Sequence, residues 1–145
     1  MNLTFLEHEL VHIVLTLLAI SIFYLRYKSL WSIVMGILGG ILVDIDHLFD
    51  YFRFSGFKLN FHQIVSSSYF TDSGKVFVFF HGWEYVLLFV LSGKIFKKGF
   101  LFYPLAVALF FHLVWDQVSY TANPFAYSII FRFLHNFDIA FFNGF

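Results

Sequence analysis

Two carboxylates and an imidazole close an apolar run in the stretch Gly39-Gly40-Ile41-Leu42-Val43-Asp44-Ile45-Asp46-His47. Only 12% of the chain is charged, so a cluster of this kind stands out. Carboxylate oxygens beside a neutral imidazole nitrogen are donors for a divalent metal. On a helix, Asp44 and His47 stand three apart and share a face, whereas Asp46 points elsewhere and binds only at a frayed helix end. The plainer explanation is a helix C-terminus where polar groups return to water. Partners delivered to the same place by other parts of the chain separate the two explanations.

Such partners are present. His8, Glu9 and His12 lie near the start of the first apolar segment, and Asp50 follows Asp46 and His47 at the end of the second. The third opens with Phe80-His81-Gly82-Trp83-Glu84, which puts His81 and Glu84 three apart on one helical face. Toward the end of the fourth, His112 and Asp116 stand four apart, again on one face. His8-Glu9-Leu10-Val11-His12 also matches the H-E-x-x-H pattern of zinc metalloproteases, a short motif that would leave Asp44, Asp46 and His47 without a role. His12 reads better as a single ligand from the first helix. His62 and His135 lack a suitable helical partner and read, like Asp50, as packing or interfacial groups.

The elements that must position these groups follow from composition. The chain has 145 residues, enough for one domain; 60% are hydrophobic and 24 are Phe. Mean hydropathy is +0.80, outside the range of a soluble domain. Net charge is zero, so there is no basic footprint for nucleic acid. Without Cys there are no disulfides, thiolate metal sites or thiol nucleophiles. The reading is a single integral membrane domain over residues 1–145 in contact with the lipid bilayer. Apolar segments cover residues 10–25, 30–43, 76–91 and 100–115, and none alternates like a strand. Each reaches the ~20 residues of a bilayer span only if its polar end also lies at membrane depth. The first, with Glu7 and Glu9 before it and no cleavage site after it, reads as a retained helix and not a cleaved signal. Residues 51–75, rich in Phe, Tyr and Ser, read as an interfacial loop with room for a short amphipathic helix. The aromatic tail after Asn123-Pro124 reads as a C-terminal helix on or against the bundle. The expected fold is all-α, a polytopic bundle of four transmembrane helices plus that interfacial helix. Gly36 and Gly40 form a small-xxx-small spacing that admits a close neighbour, although Gly is common in membrane helices in any case.

Up-down-up-down connectivity brings the polar ends of the four segments to one side of the membrane. Their depths agree as well. His12, Asp44, His81 and His112 lie 13 to 16 residues from the basic residues at the opposite end. At roughly 1.5 Å per residue, that is a common level about 20–24 Å away. Arg26, Lys28, Lys94, Lys97 and Lys98 occupy the far connections, and every Asp, Glu and His falls on the other side. By the positive-inside rule the basic end is cytoplasmic and the site faces outward from the cell membrane. Ionisable groups gathered inside a membrane bundle need a counter-charge, which one or two divalent cations supply.

The same set resembles the membrane-bound metal-dependent hydrolases of the YdjM-like type, distantly related to zinc-dependent phospholipase C. The resemblance runs through His12, Asp44-Ile45-Asp46-His47, His81-Gly82-Trp83-Glu84 and His112-Leu113-Val114-Trp115-Asp116, in order over most of the chain. The chain departs from that pattern with Val43 in place of a Pro, and with a reduced His81-to-Glu84 stretch.

The expected ligands are His12, Asp44, His47, His81, His112 and Asp116, with Asp46 standing behind a ligand or binding a second ion. Mixed nitrogen and oxygen donors without sulfur suit Zn²⁺ first, then Mn²⁺ or Fe²⁺. The expected chemistry is hydrolysis of a lipid or other membrane-borne ester or phosphoester, with Glu84 or Asp46 as proton acceptor. The alternatives are transport of a metal ion or protons, a non-catalytic scaffold stapled by metal, and the metalloprotease of the H-E-x-x-H motif. Transport requires a polar path, but the helix halves toward the basic end carry only Thr16, Ser21 and Ser32.

Overall fold

In the computed structural model, which describes residues 5–143, the chain is all-helical, with no strand among the described residues. Helix α1 (Phe5–Tyr27) is followed by α2 (Leu30–Gly40), then a 3₁₀ turn (Leu42–Asp44) that leads into α3 (Ile45–Ser55). Two short helices follow, α4 (Phe61–Ser66) and α5 (Ser68–Ser73), then α6 (Trp83–Ile95) and α7 (Gly99–Tyr120). The chain ends in α8 (Ile129–Leu134) and α9 (Ile139–Asn143). Gly144 and Phe145, part of the expected C-terminal helix, lie outside the described residues.

Helices α1 and α7 are long and apolar enough to cross a membrane. The α2 helix and the helical stretch after it, bent by 45°, make a third span if taken together. The expectation of four spanning helices and one interfacial helix is therefore corrected to two spans, or three with the bent pair. At 13 residues, α6 is too short to cross on its own.

Side chains that capture backbone groups explain the shortfall. The apolar segment from Val76 does not coil at once, because its amides and carbonyls have other partners. The N–H groups of Phe77 and Val78 donate to the Asp50 carboxylate at 3.0 and 2.9 Å, and that of Phe80 donates to Asp46 at 2.6 Å. The buried Arg132 guanidinium donates to the carbonyls of Phe77, Val78 and His81. A helix would need those same groups, and an amide N–H given to a carboxylate is not free to close a helical turn. Helix therefore begins at Trp83. At the C-terminus, Asn136 and Phe137 take φ of 54° and 55°, which ends one helix and splits the expected fifth helix into α8 and α9. The expected interfacial loop carries two short helices, α4 and α5, and α3 runs into it as far as Ser55.

The bundle is drawn together by small residues on α2. Gly36 and Gly40 sit against Ile20 and Thr16 of α1, and Gly39 sits against the Leu105 carbonyl of α7. A Cβ at any of the three would collide with its neighbour, so the spacing works as a close-approach seam. The Ser32 hydroxyl donates to the Phe100 carbonyl at 3.0 Å and adds a polar tie between α2 and α7. The core cluster of Val43, Leu109, Leu113, Ala126 and Tyr127 lies directly beneath the polar groups, with Val43 next to Asp44 and Leu113 next to His112. Large apolar side chains on the outside, among them Leu10, Leu17, Leu25 and Leu30, suit contact with lipid.

Candidate metal centre

The polar residues singled out along the chain meet where α1, the 3₁₀ turn, the non-helical run at 76–82 and α7 converge. Asp44 Oδ1 lies 3.1 Å from His81 Nε2 and 3.3 Å from His112 Nε2, and the two imidazole nitrogens are 3.0 Å apart. Tetrahedral coordination with bonds of about 2.0 Å puts neighbouring ligands about 3.3 Å apart, close to the edges of this triangle. The three side chains can therefore hold a metal ion.

Each imidazole of the triangle is held from behind. His112 Nδ1 faces the Gly40 carbonyl at 3.2 Å, and a carbonyl can only accept, so Nδ1 carries the proton and Nε2 presents its lone pair. His81 Nδ1 faces Asp46 Oδ2 at 3.1 Å and is oriented in the same sense. This is the arrangement that fixes tautomer and ring angle in metal-bound histidines. Burial alone would lower the pKa of His81, but Asp46 and Asp44 outweigh it and raise it to about 9. Near neutral pH an arriving cation therefore displaces a proton from this ring.

A second group adjoins the first. His8 Nε2, His12 Nε2 and Asp116 Oδ1 are separated by 2.9, 3.0 and 3.1 Å and can also hold an ion. Asp116 links the groups, since its Oδ2 lies 3.3 Å from His112 Nε2 and 3.6 Å from His81 Nε2. The rings of His12 and His112 stack at 3.8 Å. Support from behind differs here. The Trp115 indole N–H donates to His8 Nδ1 at 3.0 Å, so the neutral His8 ring keeps its proton on Nε2. His12 Nδ1 is buried without a partner.

Of the expected ligands, His12, Asp44, His81, His112 and Asp116 come together. His47 stands nearer the rim, 3.7 Å from Asp44 and 3.3 Å from the Tyr69 hydroxyl, with a third of its side chain exposed, and with Asp46 and His81 it makes a third group that can hold an ion. Asp46, expected behind a ligand, on a second ion or as a proton acceptor, is buried and bonded to His81 and the Phe80 amide, which makes it the group that orients His81. Glu84, expected as a proton acceptor, faces away from the centre. Its carboxylate accepts from the Ser128 hydroxyl at 2.5 Å and from the Ile129 and Ile130 amides at 3.1 and 3.2 Å, the free donors at the start of α8. His62 is exposed on α4, and His135 bonds the Phe131 carbonyl, both away from the centre.

The sequence reading missed Asp50 and Arg132, which hold the run bearing His81, and Trp115, which sets the His8 tautomer. One available signal was the rarity of ionisable residues in so apolar a chain, since each buried one needs a partner. The Gly40 carbonyl carries no such signal, because backbone acceptors are alike until the fold aims one.

Asp44 and Asp116 open onto a cavity of about 540 Å³. His8, Glu9 and His47 share its polar side, while Phe5, Leu48, Val65, Phe70, Val76 and Phe142 are among its apolar walls. No family model, curated protein or solved structure matches this chain.

Proposed function

We propose that this chain is a membrane-embedded, metal-dependent hydrolase that cleaves a lipid or another membrane-borne ester or phosphoester. The observation that carries this reading is the place of the Asp44–His81–His112 group, beside an apolar-walled cavity onto which Asp44 opens. The volume suits a small amphiphile, with a few polar groups converging on one side of an apolar pocket. The resemblance to the YdjM-like hydrolases in the order of the motifs points the same way.

In this reading Asp44, His81 and His112 hold the ion, with Asp116 beside them, and zinc fits the nitrogen and oxygen donors best. When bound, such an ion lowers the pKa of water and polarises a carbonyl or phosphoryl oxygen. Asp46 and the Gly40 carbonyl keep the two imidazoles aimed. The cavity walls take the acyl chain and keep bulk water from the ester. With Arg26, Lys28, Lys94, Lys97 and Lys98 on the cytoplasmic side, the cavity faces the other side of the cell membrane.

Two rivals meet specific observations. A transporter needs polar groups that continue toward the basic end. Thr16 and Ser32, both buried there, are engaged in helix packing against Gly40 and Phe100. A metalloprotease built on His8-Glu9-Leu10-Val11-His12 is favoured by the closeness of His8, His12 and Asp116. The indole bond weighs against it, because His8 can offer Nε2 to an ion only by giving up its proton or its Trp115 partner.

Elemental analysis of the detergent-purified protein, wild type against His112→Ala, tests the reading together with turnover of p-nitrophenyl esters and phospholipid micelles. We expect one or two zinc, manganese or iron ions in the wild type and loss of both metal and turnover in the variant. A wild type that binds no divalent ion ends the proposal.

A further inference from the structure

The carboxylates around the centre differ in how they are engaged. Asp44 and Asp116 face imidazoles, Asp46 bonds His81, Asp50 bonds the amides of Phe77 and Val78, and Glu84 bonds the start of α8. The carboxylates that line the cavity, among the described residues, are Glu9, Asp44 and Asp116. Glu9 makes no hydrogen bond or ion pair among those residues, is partly buried, and lines the same cavity as His8, Asp44 and Asp116. A carboxylate in the site with no structural partner is available to bond a substrate or water.

We propose that Glu9 is the proton acceptor and donor of this site. The assignment rests on the hydrolase reading and fills the role that Glu84 leaves open. Glu9 takes one proton from the attacking water as its oxygen bonds to the carbonyl carbon or phosphorus. It returns that proton to the departing alkoxide as the ester C–O or P–O bond breaks, so water and ester become acid and alcohol. Placement on α1, a helix of the bundle, keeps the carboxylate at a set depth beside Asp44, as proton transfer within hydrogen-bond reach requires. It also accounts for the Glu of the H-E-x-x-H pattern without requiring His8 to bind metal.

The test uses the full chain in detergent, loaded with zinc, with p-nitrophenyl caprylate and bis(p-nitrophenyl) phosphate as probes. Glu9→Gln is expected to keep wild-type zinc content and thermal unfolding while kcat falls by roughly 10²–10⁴-fold, with KM little changed. Glu9→Ala is expected to regain part of its rate when formate is added, because formate can enter the space the side chain leaves. Glu9→Gln turning over like wild type overturns the assignment and leaves the hydrolase reading intact. Loss of zinc from Glu9→Gln also overturns it, by making Glu9 a ligand. A zinc-loaded wild type inactive on both probes overturns the hydrolase reading and this assignment together.

Discussion

Two triangles of donors lie side by side in this bundle, and they are built differently. Asp44–His81–His112 and His8–His12–Asp116 have similar side chains and nearly the same spacing. In the first, both rings turn Nδ1 to an acceptor and Nε2 inward. In the second, one Nδ1 receives an indole proton and the other has no partner. Spacing makes both capable of holding a cation, but only the first has its rings protonated on the outer nitrogen. The comparison teaches that the atoms behind the ligands rank two otherwise equal sites. On that basis the first triangle would fill first, and the second would take a weaker ion or serve as a hydrogen-bonded buttress for Asp116.

The sharpest way to break this ranking is to remove one imidazole from each triangle. His81→Ala should abolish binding of the tighter ion, a larger loss than the ~10–100-fold typical of changes behind a ligand, whereas His12→Ala should retain it. Chelator competition and elemental analysis measure both, and equal losses would erase the distinction. Next in size is Arg132→Ala, which leaves the carbonyls of Phe77, Val78 and His81 without their buried donor. Unfolding stability should fall by about 3–5 kcal/mol, read in a denaturant or thermal melt in detergent, with zinc affinity falling alongside it because His81 loses its support. Asp46→Ala should weaken zinc by about 10–100-fold through His81 while leaving His112 aimed by its carbonyl.

A pH series sharpens the same comparison. With the His81 pKa raised to about 9, zinc competes with a proton, so affinity should rise about tenfold per pH unit up to that point and then flatten. The metal-free protein behaves in the opposite sense. Stabilisation by charged His81 is complete below the ordinary imidazole pKa and is lost as pH rises through about 9. Melting temperatures of apo and loaded protein across that range would show the two trends diverging, and parallel curves would remove His81 from the tighter site. The smallest effect belongs to Trp115→Phe. Removing the indole donor frees His8 Nδ1 to carry the proton, so affinity for the second ion should rise by less than about tenfold while the first ion is unaffected, at a stability cost of about 0.5–1.5 kcal/mol for the lost bond.

Much of the site was legible in the one-dimensional pattern because polar residues at matched depths in an apolar chain have few reasons to coincide. His12, Asp44, His81 and His112 could be placed at one level from helical rise and the position of the basic ends alone, and Asp116 on the same helix face as His112. The role of Glu84 was not legible, and that of Asp46 only in outline, as a group behind a ligand or on a second ion. Both depend on which backbone amides face them, Phe80 in one case and the start of α8 in the other. The number of spanning helices was misjudged for a related reason. Hydropathy treats residues 76–82 as helix-ready, but Asp50 and Arg132, distant in sequence, take the hydrogen-bonding groups that a helix would use.

By itself, then, the sequence determined the helical class, an apolar exterior suited to lipid, and the gathering of imidazoles and carboxylates at one end. Each is a property of residue type and spacing, which survives whatever the packing. The tertiary structure decided which nitrogen carries a proton in the rings that have a partner behind them, which carboxylate orients and which caps, and that Glu9 has no bond among the described residues. Those outcomes rest on single hydrogen bonds between groups up to 108 residues apart, and only the folded backbone brings such groups within 3 Å or so of one another.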